Sequence, residues 1–92
     1  MTTRECVIRN RLGLHARAAA KFVHLATTFS SHIRVSRDGK IMDGKSIMGI
    51  LLLAAGAGAS IVITAEGADE TGAIEALCRL VEGRFGEEPW NA

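Results

Sequence analysis

Between Ser30 and Arg37 the chain alternates, with Ile33 and Val35 on one side and His32, Arg34 and Ser36 on the other, the period of a strand with one buried face. Asp38-Gly39 follows directly, a strong two-residue hairpin turn, because both residue types accept the positive φ that such turns require. Lys40 to Asp43 is therefore predicted to return antiparallel to the first strand. A ribbon with one apolar side is barely stable in water by itself. The rest of the chain must supply a cover for that side.

Helical spacing provides it. Ala19, Phe22, Val23 and Ala26 fall at i, i+3, i+4 and i+7, which predicts an amphipathic helix from Ala16 to about Thr28. A second stripe, Ile74, Leu77, Cys78, Val81 and Phe85, marks a last helix, with Asp69 as its N-cap. Arg4 to Arg9 reads as a first strand with Cys6 and Ile8 inward, and Ser60 to Glu66 as a fourth strand. Ser46 caps a short apolar helix to about Ala54. The order is thus βαββαβα, and two long amphipathic helices with a mostly antiparallel four-stranded sheet imply an α+β two-layer sandwich with three helices on one face. Ninety-two residues make one domain, 1–92. Residues 86–92 read as a loose tail, with local packing of Trp90.

Several function classes are disfavoured by composition. Hydrophobic residues make up 48% of the chain and the formal net charge is +1, which suits a globular domain and argues against a nucleic-acid binder held by phosphate contacts. The charge is unevenly spread: residues 1–45 hold nine Lys/Arg and three Asp/Glu, residues 46–92 two and seven. A basic region around Arg11, Arg17, Lys21 and Lys45 would steer an acidic partner. The twenty uncharged residues Ser46 to Ala65 have the length of a membrane span. Gly56, Gly58 and Ser60 interrupt them, however, and Ile61-Val62-Ile63-Thr64 is β-branched, so a helix, a turn and a strand are predicted instead. Met1-Thr2-Thr3-Arg4-Glu5 lacks the apolar run of a signal peptide, so secretion is not expected. Cys6 and Cys78 lack metal or redox spacing and read as reduced core residues of a cytoplasmic protein.

His15 is the residue with chemical potential. It lies at the N-terminal lip of the first helix, after a loop broken at Gly13. The first N–H groups of a helix have no internal partner and carry partial positive charge, so a phosphate held there meets ready donors. Arg17 adds a guanidinium suited to phosphate oxygens, and a neutral imidazole is a nucleophile near pH 7. By position alone, a histidine at a helix start is most often a solvated surface residue. His24 and His32 do not join it in a metal site, since no acidic or thiol ligand falls at usable spacing.

Gly13-Leu14-His15-Ala16-Arg17 resembles the active-site signature of the HPr family, the histidine-containing phosphocarriers of the phosphoenolpyruvate-dependent phosphotransferase system. Gly44-Lys45-Ser46-Ile47-Met48-Gly49 resembles the family's regulatory-serine region, and Gly67-Ala68-Asp69-Glu70 its lead into the last helix. The likeness runs from about Glu5 to Glu87. It implies an open-faced sandwich and a carrier, not an enzyme, that needs no cofactor. His15 would take a phosphoryl group from phosphorylated enzyme I and pass it to enzyme IIA components. It also implies phosphorylation of Ser46 by an HPr kinase/phosphorylase and a monomer in the cytoplasm, without nucleic acid or membrane insertion. Ala18 stands where the family often has Pro, which fits the nitrogen branch, NPr, as well as the sugar branch.

The short helix is apolar nearly all round, so beside the first helix Ala16, Ala20, Ile47, Met48 and Leu51 would form a docking patch around His15, with Lys21 and Lys45 as its cations. Ser46 explains itself structurally as an N-cap; a phosphate there would put about two negative charges in the patch and repel an acidic partner. Gly39 to Ser46 also satisfies the GxxxxGK[ST] pattern of a nucleotide-binding loop. That motif needs a long helix in a parallel α/β sheet, and here the segment contains a hairpin return strand. A remaining alternative is a regulatory interaction domain switched through Ser46, with little carrier activity at His15.

Overall fold

The computed structural model describes residues 1–87. Its elements are β1 (Thr2–Val7), α1 (Ala16–Thr27), β2 (His32–Arg37), β3 (Lys40–Asp43), α2 (Ile47–Leu52), β4 (Ser60–Glu66) and α3 (Glu70–Glu82), followed by a 3₁₀ turn at Arg84–Gly86. Asp38 and Gly39 take φ of 51° and 80°, the turn conformation whose twist matches that of the flanking strands. It pairs Arg37 with Lys40 and Arg34 with Asp43. The last strand inserts between the first two, so the sheet order is β1-β4-β2-β3 and every pairing is antiparallel.

Pleating then sorts the side chains. Cys6, Ile33, Val35, Ile61, Ile63 and Ala65 are buried on the side that meets Phe22, Ala26, Ile74, Leu77 and Val81 of the helices. Glu5, Ser36, Val62 and Thr64 are exposed or half-buried on the other side. Each large side chain withdrawn from water in this way contributes roughly 1.5–3 kcal/mol. The result is the α+β sandwich with an open sheet face that the periodicities predict.

The ends of elements differ from the sequence reading where tertiary contacts decide. The first strand begins two residues earlier than expected, because Thr2 to Val7 pair with Ala65 to Ser60, and Ile8 is buried just beyond it. Ser30 and Ser31 are not strand, and α2 stops at Leu52, with Ala54 at φ 51°. Phe85 is fully buried but lies past the helix in the 3₁₀ turn, at φ 54°. Gly86 and Glu87 are not a loose tail: their N–H groups bond Gly83 and Arg84 carbonyls. Trp90 falls outside the described residues.

Asp69 corrects another expectation. It occupies the N-cap position of α3 but makes no side-chain cap bond; its carboxylate accepts the N–H and hydroxyl of Ser30 and of Ser31 instead. The side chain therefore ties the α1–β2 loop to the start of α3. The hydroxyl bond from Ser31, then the Ser30 N–H, hold its carboxyl down at about 2, from 3.8. A lowered folded value means that this stability is complete above the ordinary carboxylate range and is lost as pH falls through it. The urea midpoint is expected to fall between pH 3.8 and 2, and Asp69→Asn is expected to lower it at neutral pH while flattening that acid slope. An unchanged acid slope in the variant would sink the assignment.

Candidate functional site

The site is built where two loops touch. Leu14 donates its N–H to the Ala55 carbonyl at 2.9 Å, and Gly13 sits at φ 70°. A Cβ on Gly13 would lie 2.6 Å from the Ala55 oxygen and 2.8 Å from Gly56 Cα. Only glycine fits both the dihedral and the space. The clamp orients the next residues, so that His15 is the N-cap of α1 with extended backbone, φ −78° and ψ 178°. Its carbonyl accepts the Ala19 N–H at 2.8 Å and begins the helical ladder.

The α1 N-terminus is chemically open. His15 makes no side-chain cap bond and the first turn holds no acidic residue, so the early N–H groups keep their partial positive charge facing outward. Arg17 is exposed on that turn. The imidazole is 28% exposed, and its Nε2 lies 2.5 Å from Glu87 Oε2. Glu87 Oε1 also accepts from Asn10 Nδ2 at 3.1 Å, and the same amide donates to the Gly13 carbonyl at 2.8 Å. Asn10 is buried and its Oδ1 has no partner among the described residues. Burial pushes the Glu87 carboxyl up, but the bonds from His15 and Asn10 outweigh it and leave the group below the usual carboxylate range.

The expected patch residues are placed unevenly. Met48 is 68% exposed and Ile47 39%; Ala16 is exposed, Ala20 half-buried, and Leu51 packs against the core. Leu12 and Leu52, outside the expected patch, are 65% and 57% exposed. Lys21 donates to the Phe85 carbonyl at 2.7 Å. Lys45 donates to the Phe29 carbonyl at 2.8 Å, beyond the C-terminal end of α1. With Ala55 joined to Leu14 at one end and Lys45 to Phe29 at the other, α2 runs antiparallel to α1, so Ser46 and Lys45 lie away from His15. Ser46 Oγ accepts the Gly49 N–H at 3.1 Å as the predicted N-cap.

The GxxxxGK[ST] pattern is spread over a hairpin turn, strand β3 and this cap, and its lysine is committed to Phe29. No group of three or more His, Cys, Asp or Glu among the described residues could hold a metal ion. Nor is any helix among them long and apolar enough to cross a membrane. Asn10 and Glu87 escape a sequence reading because they converge from positions 77 residues apart; the Phe85-Gly86 pair, a buried aromatic followed by a turn former, is the one local signal that the chain folds back there.

Gly13→Ala should cost roughly 1–3 kcal/mol from backbone strain, which lowers the thermal midpoint by about 4–8 °C per kcal/mol. Gly56→Ala, whose Cβ would meet nothing within 4 Å, should leave it nearly unchanged. Equal midpoints for the two variants would show that the clamp does not constrain Gly13.

Comparison with known proteins converges on one family. The model for the PTS HPr component phosphorylation site matches residues 2–83. Phosphocarrier protein HPr of Cupriavidus necator is 48% identical over 87 residues, covering 95% of this chain and 98% of its own. Phosphocarrier protein HPr of Pseudomonas aeruginosa is 47% identical over 88 residues, covering 95% and 98%. The crystal structure of an HPr from Thermoanaerobacter tengcongensis superposes with a TM-score of 0.92 at 49% identity, over 96% of this chain and 99% of that one. With that match, and a histidine presented on an uncapped helix N-terminus, the chain belongs to the HPr family of phosphocarrier proteins of the phosphotransferase system.

Proposed function

We propose that His15 is the residue that carries the phosphoryl group, and that it does so through Nδ1. The observation that supports this most is the pairing of an acceptor ring at the N-cap of α1 with a first turn free of any side-chain cap or acidic residue. Nε2 is engaged by Glu87, which leaves the lone pair of Nδ1 for attack. In the transfer, Nδ1 bonds the phosphorus of a phosphohistidine on enzyme I while the donor P–N bond breaks, its electron pair returning to the donor ring. The α1 N–H groups and Arg17 stabilise the charge on the transferring oxygens. Passage to an enzyme IIA component repeats the exchange in the opposite sense.

The ring is 28% exposed and open to water, so the partners complete the reaction site. That makes the protein a carrier and not an enzyme. Ala16, Ala20, Ile47, Met48 and Leu51 form the apolar docking surface, extended by Leu12 and Leu52 on their exposure. Lys21 and, from the far end of α2, Lys45 contribute positive charge. Ser46 is a second phosphorylation site, read by an HPr kinase/phosphorylase; since its hydroxyl already faces the α2 N–H groups, a phosphate there changes charge at the docking surface without unfolding the helix. The working form is a cytoplasmic monomer.

Incubation with phosphoenolpyruvate and enzyme I from the same source should add one acid-labile phosphoryl group, read by intact mass, and His15→Ala should abolish it. Absence of the adduct with an autophosphorylating enzyme I would transfer the functional role to Ser46. Met48→Glu should raise KM for enzyme I roughly tenfold with little change in the unfolding midpoint, as loss of an exposed anchor does. An unchanged KM would remove Met48 from the docking surface.

A further inference from the structure

Glu87 touches the ring on which the mechanism rests, and the fold takes an unusual conformation to deliver it. Arg84, Phe85 and Gly86 take φ of 62°, 54° and 74° in succession, and two consecutive non-glycine residues in the left-handed region persist only where surrounding contacts hold them. Those contacts are present. Phe85 is fully buried in the core, its carbonyl accepts Lys21 Nζ at 2.7 Å, and the Glu87 N–H closes onto the Arg84 carbonyl at 2.9 Å. The carboxylate at the end of this turn reaches two groups at once, His15 Nε2 at 2.5 Å and Asn10 Nδ2 at 3.1 Å. Asn10 is in turn locked to the Gly13 carbonyl at 2.8 Å, so the carboxylate is braced from behind by the same loop that sets the ring.

We propose that Glu87, braced by Asn10, is a positioning residue for phosphoryl transfer: it holds the Nε2–H of His15, keeps the Nδ1 lone pair free, and balances the positive charge the ring acquires. This rests on the reading of His15 as the acceptor. A neutral imidazole carries one proton, on either nitrogen, and only the form with the proton on Nε2 offers Nδ1 as a nucleophile. A carboxylate accepting from Nε2 selects that form. When the Nδ1–P bond forms and the donor P–N bond breaks, the ring keeps its Nε2 proton and becomes cationic, and the carboxylate pairs with it. When the phosphoryl group moves on, the N–P electron pair returns to Nδ1 and the ring is neutral again, with no net transfer of a proton to Glu87. The carboxylate lies at the Nε2 edge, opposite the phosphoryl position, so it does not oppose the charge gathered near Arg17 and the helix N-terminus.

The test uses the full chain with ¹⁵N-labelled histidine and three variants, Glu87→Ala, Glu87→Gln and Glu87→Asp, with thermal midpoints measured to confirm folding. Ring ¹⁵N shifts, followed in a pH series to the alkaline plateau, report the proton position for His15. Wild type should show the Nε2–H form predominating and Glu87→Ala a mixture. Glu87→Gln, which retains an acceptor but no charge, should keep the Nε2–H form. The rate of phosphoryl acceptance from enzyme I should fall roughly tenfold in Glu87→Ala, as for outer partners of functional histidines, and less in Glu87→Asp. Glu87→Gln should fall between wild type and Glu87→Ala. A Glu87→Ala chain with the wild-type proton distribution, or with a wild-type rate of acceptance, overturns the proposal. Failure of wild type to accept a phosphoryl group overturns the carrier reading instead, while the ring shifts still decide whether Glu87 sets the proton.

Discussion

The hydrogen bond from the Leu14 N–H to the Ala55 carbonyl joins the loop before α1 to the loop after α2, and the geometry of the whole site descends from it. Without a side chain at Gly13 the two backbones approach within contact distance; with one, the loop would have to withdraw and carry His15 away from the helix axis. The same junction fixes the relative direction of α1 and α2, because it anchors the C-terminal end of one beside the N-terminal end of the other. The His15 imidazole, a helix terminus and an apolar helix are thus brought together by backbone contacts between two loops. In a chain of 92 residues this is an economical arrangement.

Part of the positive charge in the basic half of the sequence is structural. Arg37 and Lys40, on the β2–β3 hairpin, donate to the Leu53 and Leu52 carbonyls at the end of α2, where cations complement the negative end of a helix. Lys45 and Lys21 likewise reach backbone carbonyls. Arg17 is the exposed cation placed on the first turn beside His15. Of the nine cations in the basic half, Arg37, Lys40, Lys45 and Lys21 therefore bind backbone carbonyls, Arg34 pairs with Glu66, and Arg17 stands exposed at the site.

Most of the architecture was legible because it is written in local periodicity. The alternation at Ile33 and Val35, the Asp38-Gly39 turn and the stripe from Ala19 to Ala26 are all consequences of neighbours within a few residues, and each appears as expected. His15 was legible as a helix-start residue for the same reason, and its family motif sharpened that. What escaped is long-range. Asp69 has the composition of an N-cap, yet its carboxylate is drawn to Ser30 and Ser31 across the molecule, since four donors there outcompete the local ones. Glu87 sits in a stretch whose polarity and glycine content suggest a loose end; only the burial of Phe85 and the reach of Lys21 turn it toward the ring, and neither is visible in sequence order.

The one-sided covering of the sheet has a consequence for how this sequence can drift. Along β4, Ile61, Ile63 and Ala65 are sealed beneath the helices while Val62 and Thr64 lie on the uncovered side. Substitutions at the first set disturb a close-packed interior, whereas those at the second change little beyond the pleat's own preference for branched side chains. Along β2 and β4 alternate residues are thus sealed in the core. The intervening positions on the open face accept a wider range of side chains, so substitutions there leave the packing between sheet and helices in place.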